Sequence, residues 1–131
     1  MNETLAAWAP RALSVLRIFT GLELLDHGMA KILGFPAVPS FANVQINSLV
    51  GASGLIELIG GLLLTIGLFT RPIAFIVSGF AAVAYFMVHA PKGFYPVLNG
   101  GDYAALISFV AVYFVFAGGG PWSADALIGR K

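Results

Sequence analysis

The chain has 131 residues, of which 59% are hydrophobic and only 10% are charged, whereas soluble domains average about 25% charged residues. A soluble domain of this size could not bury so much apolar surface, so the composition predicts one membrane domain over residues 1–131. The net charge of +1 argues against a nucleic-acid partner, and the lack of cysteine excludes disulfides, thiolate metal sites and iron–sulfur clusters.

Four apolar segments follow one another along the chain and predict four membrane-spanning helices. Each is close to the ~20 residues that cross a bilayer, and a segment in hydrocarbon must satisfy its own backbone hydrogen bonds, which favours helices over strands. The predicted spans are about residues 10–33, 49–69, 72–88 and 102–117. We therefore expect an all-α fold, an integral membrane bundle of four transmembrane helices.

Polar stretches mark the ends of these segments and their orientation. Thr70-Arg71-Pro72 predicts a threonine N-cap and a proline in the first turn of the third helix. Residues 99–102, Asn-Gly-Gly-Asp, predict a turn and then a carboxylate at a helix N-terminus. We expect no cleaved signal peptide, because no positively charged region opens the chain. An N-in/C-in orientation is favoured by the unequal distribution of positive residues, Arg11, Arg71, Arg130 and Lys131 against Lys31 and Lys92.

Most ionisable residues of the spans fall in the half that would face the outer leaflet. They are Glu23, Asp26, His27 and Lys31 in the first helix, Glu57 in the second, His89 at the end of the third and Asp102 at the start of the fourth. A rise of ~1.5 Å per residue puts His27 and Glu57 at the same depth. A carboxylate there costs several kcal/mol unless it is protonated or paired, so these residues are functional candidates.

Helical periodicity predicts which faces point inward. One stripe of the first helix contains Arg17, Gly21, Leu24, Gly28 and Lys31, with His27 at its edge and Asp26 opposite. Glu57 falls beside Gly54 and Gly61, and small residues let helices approach closely, so we expect Glu57 to face the bundle interior. Small residues also suggest a homo-oligomer, through Gly54, Gly61, Ala81 and Ala84.

The least hydrophobic stretch, "HAPKGFYPVLNGGDYAA" at residues 89–105, is expected to form an outer lid over this polar cluster. Phe94 and Tyr95 follow Lys92 at the predicted interface. One interpretation is an interfacial aromatic belt. The other is an apolar pocket with a few polar groups, which suits a quinone or similar small lipophile.

For such a ligand the candidate residues divide into two sets. We expect catalytic roles, hydrogen bonding to carbonyls and proton relay, for Glu57, His89 and His27. We expect binding roles for Lys31, Lys92, Phe94, Tyr95, Asn99 and Asp102, with a lysine steadying the reduced oxyanion. His27, Glu57 and His89 are also competent metal ligands, but no ligand spacing supports a metal site, so we predict none.

Three stretches of the chain resemble the DoxX family of small four-helix membrane proteins. In the last of them, the run His-x-Pro-x-Gly-Phe, the turn Asn-Gly-Gly-acid and the closing Gly-Pro-x-Ser-x-Asp occur together. The stretches are "LRIFTGLELLDHGMAKILGF", "GLIELIGGLLLTIGLFTRPIA" and "AYFMVHAPKGFYPVLNGGDYAALISFVAVYFVFAGGGPWSADALI". The family's polar positions fall on Arg17, His27, Lys31, Glu57, Arg71, His89, Lys92, Asn99 and Asp102. Asp102 stands where the family usually has glutamate, and Glu23 and Asp26 where it is commonly apolar.

The resemblance implies a multi-pass protein of the bacterial inner membrane with a link to quinones or oxidative stress. The family takes its name from a subunit associated with a thiosulfate:quinone oxidoreductase. Because the chain lacks cysteine and a Gly-rich dinucleotide loop, a redox role would use a borrowed carrier such as a quinone, or a partner oxidoreductase subunit. The alternative is a non-catalytic scaffold, assembly or stress-response protein whose buried ion network locks the helices together. Transport is a weaker third option.

Overall fold

The computed structural model describes residues 2–130, and over this range the chain forms helices and loops without a β-strand. Lys131, which contributes to the predicted orientation, lies outside the described residues. Four helices are long: α1 (Asn2–Ile32), α2 (Leu49–Ile66), α3 (Thr70–Ala84) and α5 (Asp102–Ala117). Two are short, α4 (Pro96–Asn99) and α6 (Ala124–Leu127). The all-α prediction is confirmed.

Helix α1 begins at Asn2, well before the first predicted span, and contains Pro10 in its interior. The extension is built from strong helix formers such as Leu5, Ala6 and Ala7. Residues 2–10 are all exposed, so this part of α1 is helical mainly through local propensity and buries little surface. The apolar pattern therefore predicted the buried part of α1 and missed its start.

Two helices between Asn2 and Arg130 are long and apolar enough to cross a membrane. They are α2 and the helical run Thr70–Lys92, each with a mean hydropathy of 2.0. In that run α3 continues through a π-helical turn, Tyr85–His89, and a 3-10 turn, Ala90–Lys92. Helix α5 is apolar but shorter. These two helices thus have the length and apolar composition that a membrane span requires.

The corner between α2 and α3 departs from the predicted cap. Helix α2 ends at Ile66, and its C-cap Gly67 adopts a left-handed conformation with φ 69°. Glycine is favoured at this position because it adopts a positive φ without strain. The N-cap of α3 is Phe69, with φ 52°, and Thr70 is the first residue of the helix. The prediction of a threonine N-cap is therefore wrong. The cap comes from a distant segment instead, because the amides of Phe69 and Thr70 donate to Asp125 at 2.9 and 2.8 Å.

Helices α1 and α2 pack most closely, and glycines on both of them set the distance. A Cβ atom added to Gly28 would lie 2.5 Å from Cα of Leu58 on α2, and one added to Gly61 would lie 2.8 Å from Cα of Leu25 on α1. Real Cβ atoms do not approach so closely, so the two backbones are in direct contact. This contact brings polar residues near the C-terminal end of α1 against the first half of α2.

Helix α3 packs chiefly against α5, and all four long helices share one apolar core. Its fully or nearly buried residues are Leu24, Leu64, Ala74, Val77, Ala81, Ile107, Ala111 and Phe114. The predicted inward faces are confirmed, since Arg17, Leu24 and Glu57 are buried while Asp26 is exposed.

The small residues expected to form a dimer face are used within one chain. Gly54, Gly61 and Ala81 are buried in the packing of α1, α2, α3 and α5. Gly54 and Gly61 serve the contact between α1 and α2, and Ala81 belongs to the apolar core, so the homo-oligomer stays a prediction.

Candidate functional site

A buried ion pair joins α1 to α2. The Nζ atom of Lys31 donates a hydrogen bond to Oε1 of Glu57 at 2.9 Å and lies 2.7 Å from Oε2. It also donates to Oγ of Ser53 at 3.1 Å. The side chains of Lys31 and Glu57 are 12% and 6% exposed, and theirs is the one ion pair within 4.0 Å between residues 2 and 130. Oε2 is buried and has no polar partner other than the Lys31 ammonium among residues 2–130.

Local sequence explains how these side chains reach each other. Glu57 lies on the glycine face of α2, and Lys31 occupies the last turn of α1, where a cation is favoured by the helix dipole. A Cβ atom added to Gly54 would lie 2.8 Å from Cβ of Lys31. The absence of a side chain at Gly54 therefore leaves the space through which the lysine extends along α2.

His27 stacks on Tyr103 at the start of α5, with ring centroids 4.5 Å apart and 13° between the planes. Nδ1 of His27 lies 2.9 Å from the carbonyl oxygen of Glu23, so this nitrogen is the donor and the other ring nitrogen is left to bind elsewhere. The Tyr103 hydroxyl is buried without a hydrogen bond. Both residues lie within the electrostatic reach of Glu57. No sequence pattern distinguishes Tyr103 from the other aromatic residues nearby, such as Tyr85 and Phe86.

Asn99 organises the loop that follows α3. Its side-chain nitrogen donates to the carbonyl of Gly93 at 2.8 Å and to the hydroxyl of Tyr85 at 3.3 Å, and its Oδ1 accepts from the amide of Gly101 at 2.8 Å. The Asn99 carbonyl meets Nδ1 of His89 at 3.2 Å. The side-chain amide of Asn99 was expected to bind a ligand, but both of its protons are donated to groups of the same loop.

Four other candidates lie at the surface and apart from the ion pair. Phe94 is 86% exposed and Tyr95 62% exposed, and Lys92 and Asp102 are also exposed. None of the four lines a cavity beside Lys31 or Glu57. The exposure of both rings agrees with the interfacial-belt interpretation, and a part for Phe94 and Tyr95 in binding a ligand stays a prediction.

An open cavity of about 490 Å³ lies beside Lys31. Its walls are the end of α1 and the following loop, and they include Ile32, Val38, Phe41 and Val44. Nζ of Lys31 lies 5.4 Å from the centre of the Phe41 ring. The sequence resemblance leaves this loop out, so its part in the site was missed. Within residues 2–130, no three His, Asp or Glu side chains converge as metal ligands.

At the opposite end of the bundle, Arg17 is fully buried and surrounded by carbonyl groups. Nε donates to Gly119 at 2.8 Å, Nη1 donates to Leu64 and, at 2.7 Å, to Thr65, and Nη2 donates to Trp122. The carbonyls of Leu64 and Thr65 belong to the last turn of α2, where helix acceptors lack partners. Arg17 therefore ties the end of α2 to the segment that follows α5.

The same segment supplies the cap of α3. Asp125 accepts hydrogen bonds from the backbone amides of Phe69 and Thr70. The Thr70 hydroxyl lies near the same carboxylate but does not form a hydrogen bond with it. Burial acts to raise the pKa of Asp125, but the hydrogen bonds from Thr70 and Phe69, aided by the charge of Arg130, hold this pKa below its ordinary value. The closing Gly-Pro-x-Ser-x-Asp stretch thus has a structural role.

We expect Asp125→Asn to destabilise the protein at neutral pH by about 1 kcal/mol, the usual value of a helix cap. A carboxylate with a lowered folded-state pKa stabilises above its unfolded pKa of about 3.9, and that stabilisation is lost as the pH falls through the folded value. Melting curves in detergent at pH 7 and near pH 3 should therefore show a wild-type advantage that shrinks in acid. Asp26→Asn, at an exposed carboxylate, is the control, and an equal response of the two variants would contradict the prediction.

Comparisons with known proteins agree with the helical membrane character. A DoxX family model matches residues 12–90, more than half of the chain, and includes Arg17, His27, Lys31, Glu57 and His89. Helix α5 lies outside this match. The chain is also 42% identical to a protein of Haemophilus influenzae described as uncharacterized, over 97% of this chain and 98% of that protein. No solved structure matches the chain significantly. The chain belongs to the DoxX family of membrane-associated proteins.

Proposed function

We propose that this protein crosses the bacterial inner membrane four times, with both termini in the cytoplasm, and binds a quinone or similar small lipophile beside Lys31 and Glu57. The apolar helices α2 and Thr70–Lys92 support the membrane part. The observation that carries the ligand is the position of Lys31, which contributes both to a buried ion pair and to the wall of an open cavity. The ligand ring would lie against apolar groups such as Phe41 and Val38.

The chemistry of the pair suits a carbonyl ligand. A lysine ammonium has three protons, and Glu57 and Ser53 accept two of them, so the third can bind a quinone oxygen. Reduction of a quinone consumes two electrons and two protons and yields a hydroquinone. A partner oxidoreductase subunit would supply the electrons, Glu57 and His27 would relay the protons, and Lys31 would stabilise the developing oxyanion.

A second candidate function follows if Lys31 and Glu57 serve only to bind each other. Lys31 and Glu57 neutralise each other at 2.7 Å, and the amide of Asn99 is used within its own loop. In this reading the cluster is a lock between helices of a scaffold or assembly protein. Polar contacts between membrane helices typically contribute less than ~2 kcal/mol each. Loss of the pair should therefore reduce stability if the pair is a lock, and should abolish ligand binding if it is a binding site.

Substitution of the pair separates the two functions. Lys31→Met leaves an unpaired buried carboxylate and should destabilise the protein by about 3 kcal/mol, whereas the double variant Lys31→Met with Glu57→Gln should recover most of that loss. If the site binds quinone, the double variant stays folded but no longer co-purifies with quinone and gains no melting temperature from an added quinone analogue.

The control is Lys92→Met, at an exposed lysine away from the cavity, which should keep both stability and quinone binding. Extraction of lipids from the purified protein and thermal melting in mild detergent give the two measurements. Quinone binding is excluded if the wild-type protein retains no quinone and is not stabilised by the analogue. In that case a double variant that stays less stable than the wild type by up to ~2 kcal/mol supports the structural lock.

A further inference from the structure

A second open cavity lies at the end of the bundle opposite Lys31. It has a volume of about 550 Å³ and lies between the corner that joins α2 to α3 and the segment from Ala117 to Arg130. Three charged residues line it: Arg71, Arg130 and Asp125. Two cations therefore face one anion, and the proposed quinone site uses none of them.

The two arginines keep free donors. Arg71 donates through Nη1 to the carbonyls of Val115 and Phe116 at 2.6 and 2.7 Å, which leaves Nε and Nη2 without a hydrogen bond among residues 2–130. This open edge faces Gly118, where an added Cβ atom would lie 3.4 Å from Nη2. The Arg130 guanidinium lies 4.5 Å above the Phe69 ring, is exposed, and makes no side-chain hydrogen bond in the described chain.

Asp125, the one acidic residue among residues 2–130 that lines this cavity, already accepts hydrogen bonds from the protein. Each carboxylate oxygen of Asp125 accepts one backbone amide, from Phe69 and from Thr70, and hydrogen bonds of this kind disperse a negative charge. The glycine turn beside it adds donors, because the amides of Gly119 and Gly120 donate no hydrogen bond within the described residues. The cavity thus offers two guanidinium groups and free amides to an anion.

We propose that this cavity binds a phosphate ester anion, namely the headgroup of an anionic phospholipid. Arginine is suited to this task because its planar fork matches the oxygens of phosphate. The cavity lies where α2 ends and α3 begins, and the ends of membrane-spanning helices meet the lipid headgroups. The apolar rim, which includes Pro72, Ala117 and Pro121, would contact the upper part of the acyl chains. The inference rests on the membrane part of the proposed function and not on the quinone site.

The test uses the full chain in a neutral detergent with equal amounts of phosphatidylglycerol and phosphatidylcholine. Native mass spectrometry should show selective retention of phosphatidylglycerol, which should also raise the melting temperature. Arg130→Gln should weaken this retention about fivefold, as expected for the loss of one cation at a membrane surface. It should lower the melting temperature without lipid only slightly, since the exposed Arg130 side chain makes no hydrogen bond and loses only its contact with Phe69 and its effect on Asp125. Arg71→Gln should weaken retention as well but also loosen the end of α5.

The matched control is Lys92→Gln, an exposed lysine at the other end of the chain's helices, which should retain phosphatidylglycerol like the wild type. Equal retention of the two lipids, or equal losses in Arg130→Gln and Lys92→Gln, would overturn the proposal. Inorganic phosphate is the third probe. If it stabilises the protein as much as phosphatidylglycerol does, and Arg130→Gln removes that effect, the lipid is not the ligand and the site serves free phosphate. Quinone retention, measured in the same samples, reports separately on the other site.

Discussion

Arg17→Met should lower the free energy of unfolding by more than about 4 kcal/mol, because methionine fills similar space but donates no hydrogen bond. The carbonyls of Thr65, Gly119 and Trp122 lose the Arg17 donor, and that of Leu64 keeps only the amide of Gly67. An unsatisfied buried acceptor costs about 1–3 kcal/mol. The end of α2 and the segment after α5 would then lose their common anchor.

Arg11→Met is the matched control for this substitution. Arg11 lies on the same helix but is exposed, and its hydrogen bond reaches only the carbonyl of Ala7 at 3.4 Å, so the change should stay within about 0.5 kcal/mol. Unfolding in detergent followed by circular dichroism gives the stability, and limited proteolysis reports whether residues 118–130 come free. Equal stability of the two variants would show that the buried guanidinium is dispensable.

Gly28→Ala is expected to destabilise the protein by about 3 kcal/mol, near the upper end of ordinary overpacking effects. The added carbon would lie 2.5 Å from Cα of Leu58, so the backbones of α1 and α2 must separate. Alanine favours a helix over glycine by about 1 kcal/mol, which offsets only part of this cost. Because Glu57 precedes Leu58, the separation should also lengthen the contact between Lys31 and Glu57.

Gly79→Ala makes the same change on α3, where an added Cβ atom meets nothing within 4 Å. It should be neutral or stabilise the protein by up to about 1 kcal/mol. Melting both variants under one set of conditions compares the two positions directly. If the Gly28→Ala and Gly79→Ala variants have the same melting temperature, the close approach of α1 and α2 is not required for stability.

Much of the helical layout could be predicted because it depends on local chemistry. The lengths of the apolar segments predicted the approximate positions of α2 and α5, and a period of 3.6 residues predicted which helix faces point inward. The prediction that Glu57 faces inward beside Gly54 and Gly61 is confirmed. The start of α1 was missed because residues 2–10 are helical without being buried, and an apolar pattern detects burial.

The partners of the polar residues could not be predicted in the same way. Depth along the helices placed His27 and Glu57 level with each other, but Glu57 pairs with Lys31 and His27 stacks on Tyr103. Depth leaves the rotation of one helix about its neighbour undetermined. That rotation follows from glycine contacts between α1 and α2, and these exist only once the helices are packed.

The sequence by itself thus determined that this chain forms apolar helices and which of their faces turn inward, because both properties arise within a few consecutive residues. Tertiary structure alone decided that Asp125 caps α3, that Arg17 serves the end of α2, and that residues near Phe41 wall a cavity at Lys31. The contacts at these sites join groups up to 105 positions apart. Their geometry depends on the path of every helix and loop between them, and no local pattern records that path.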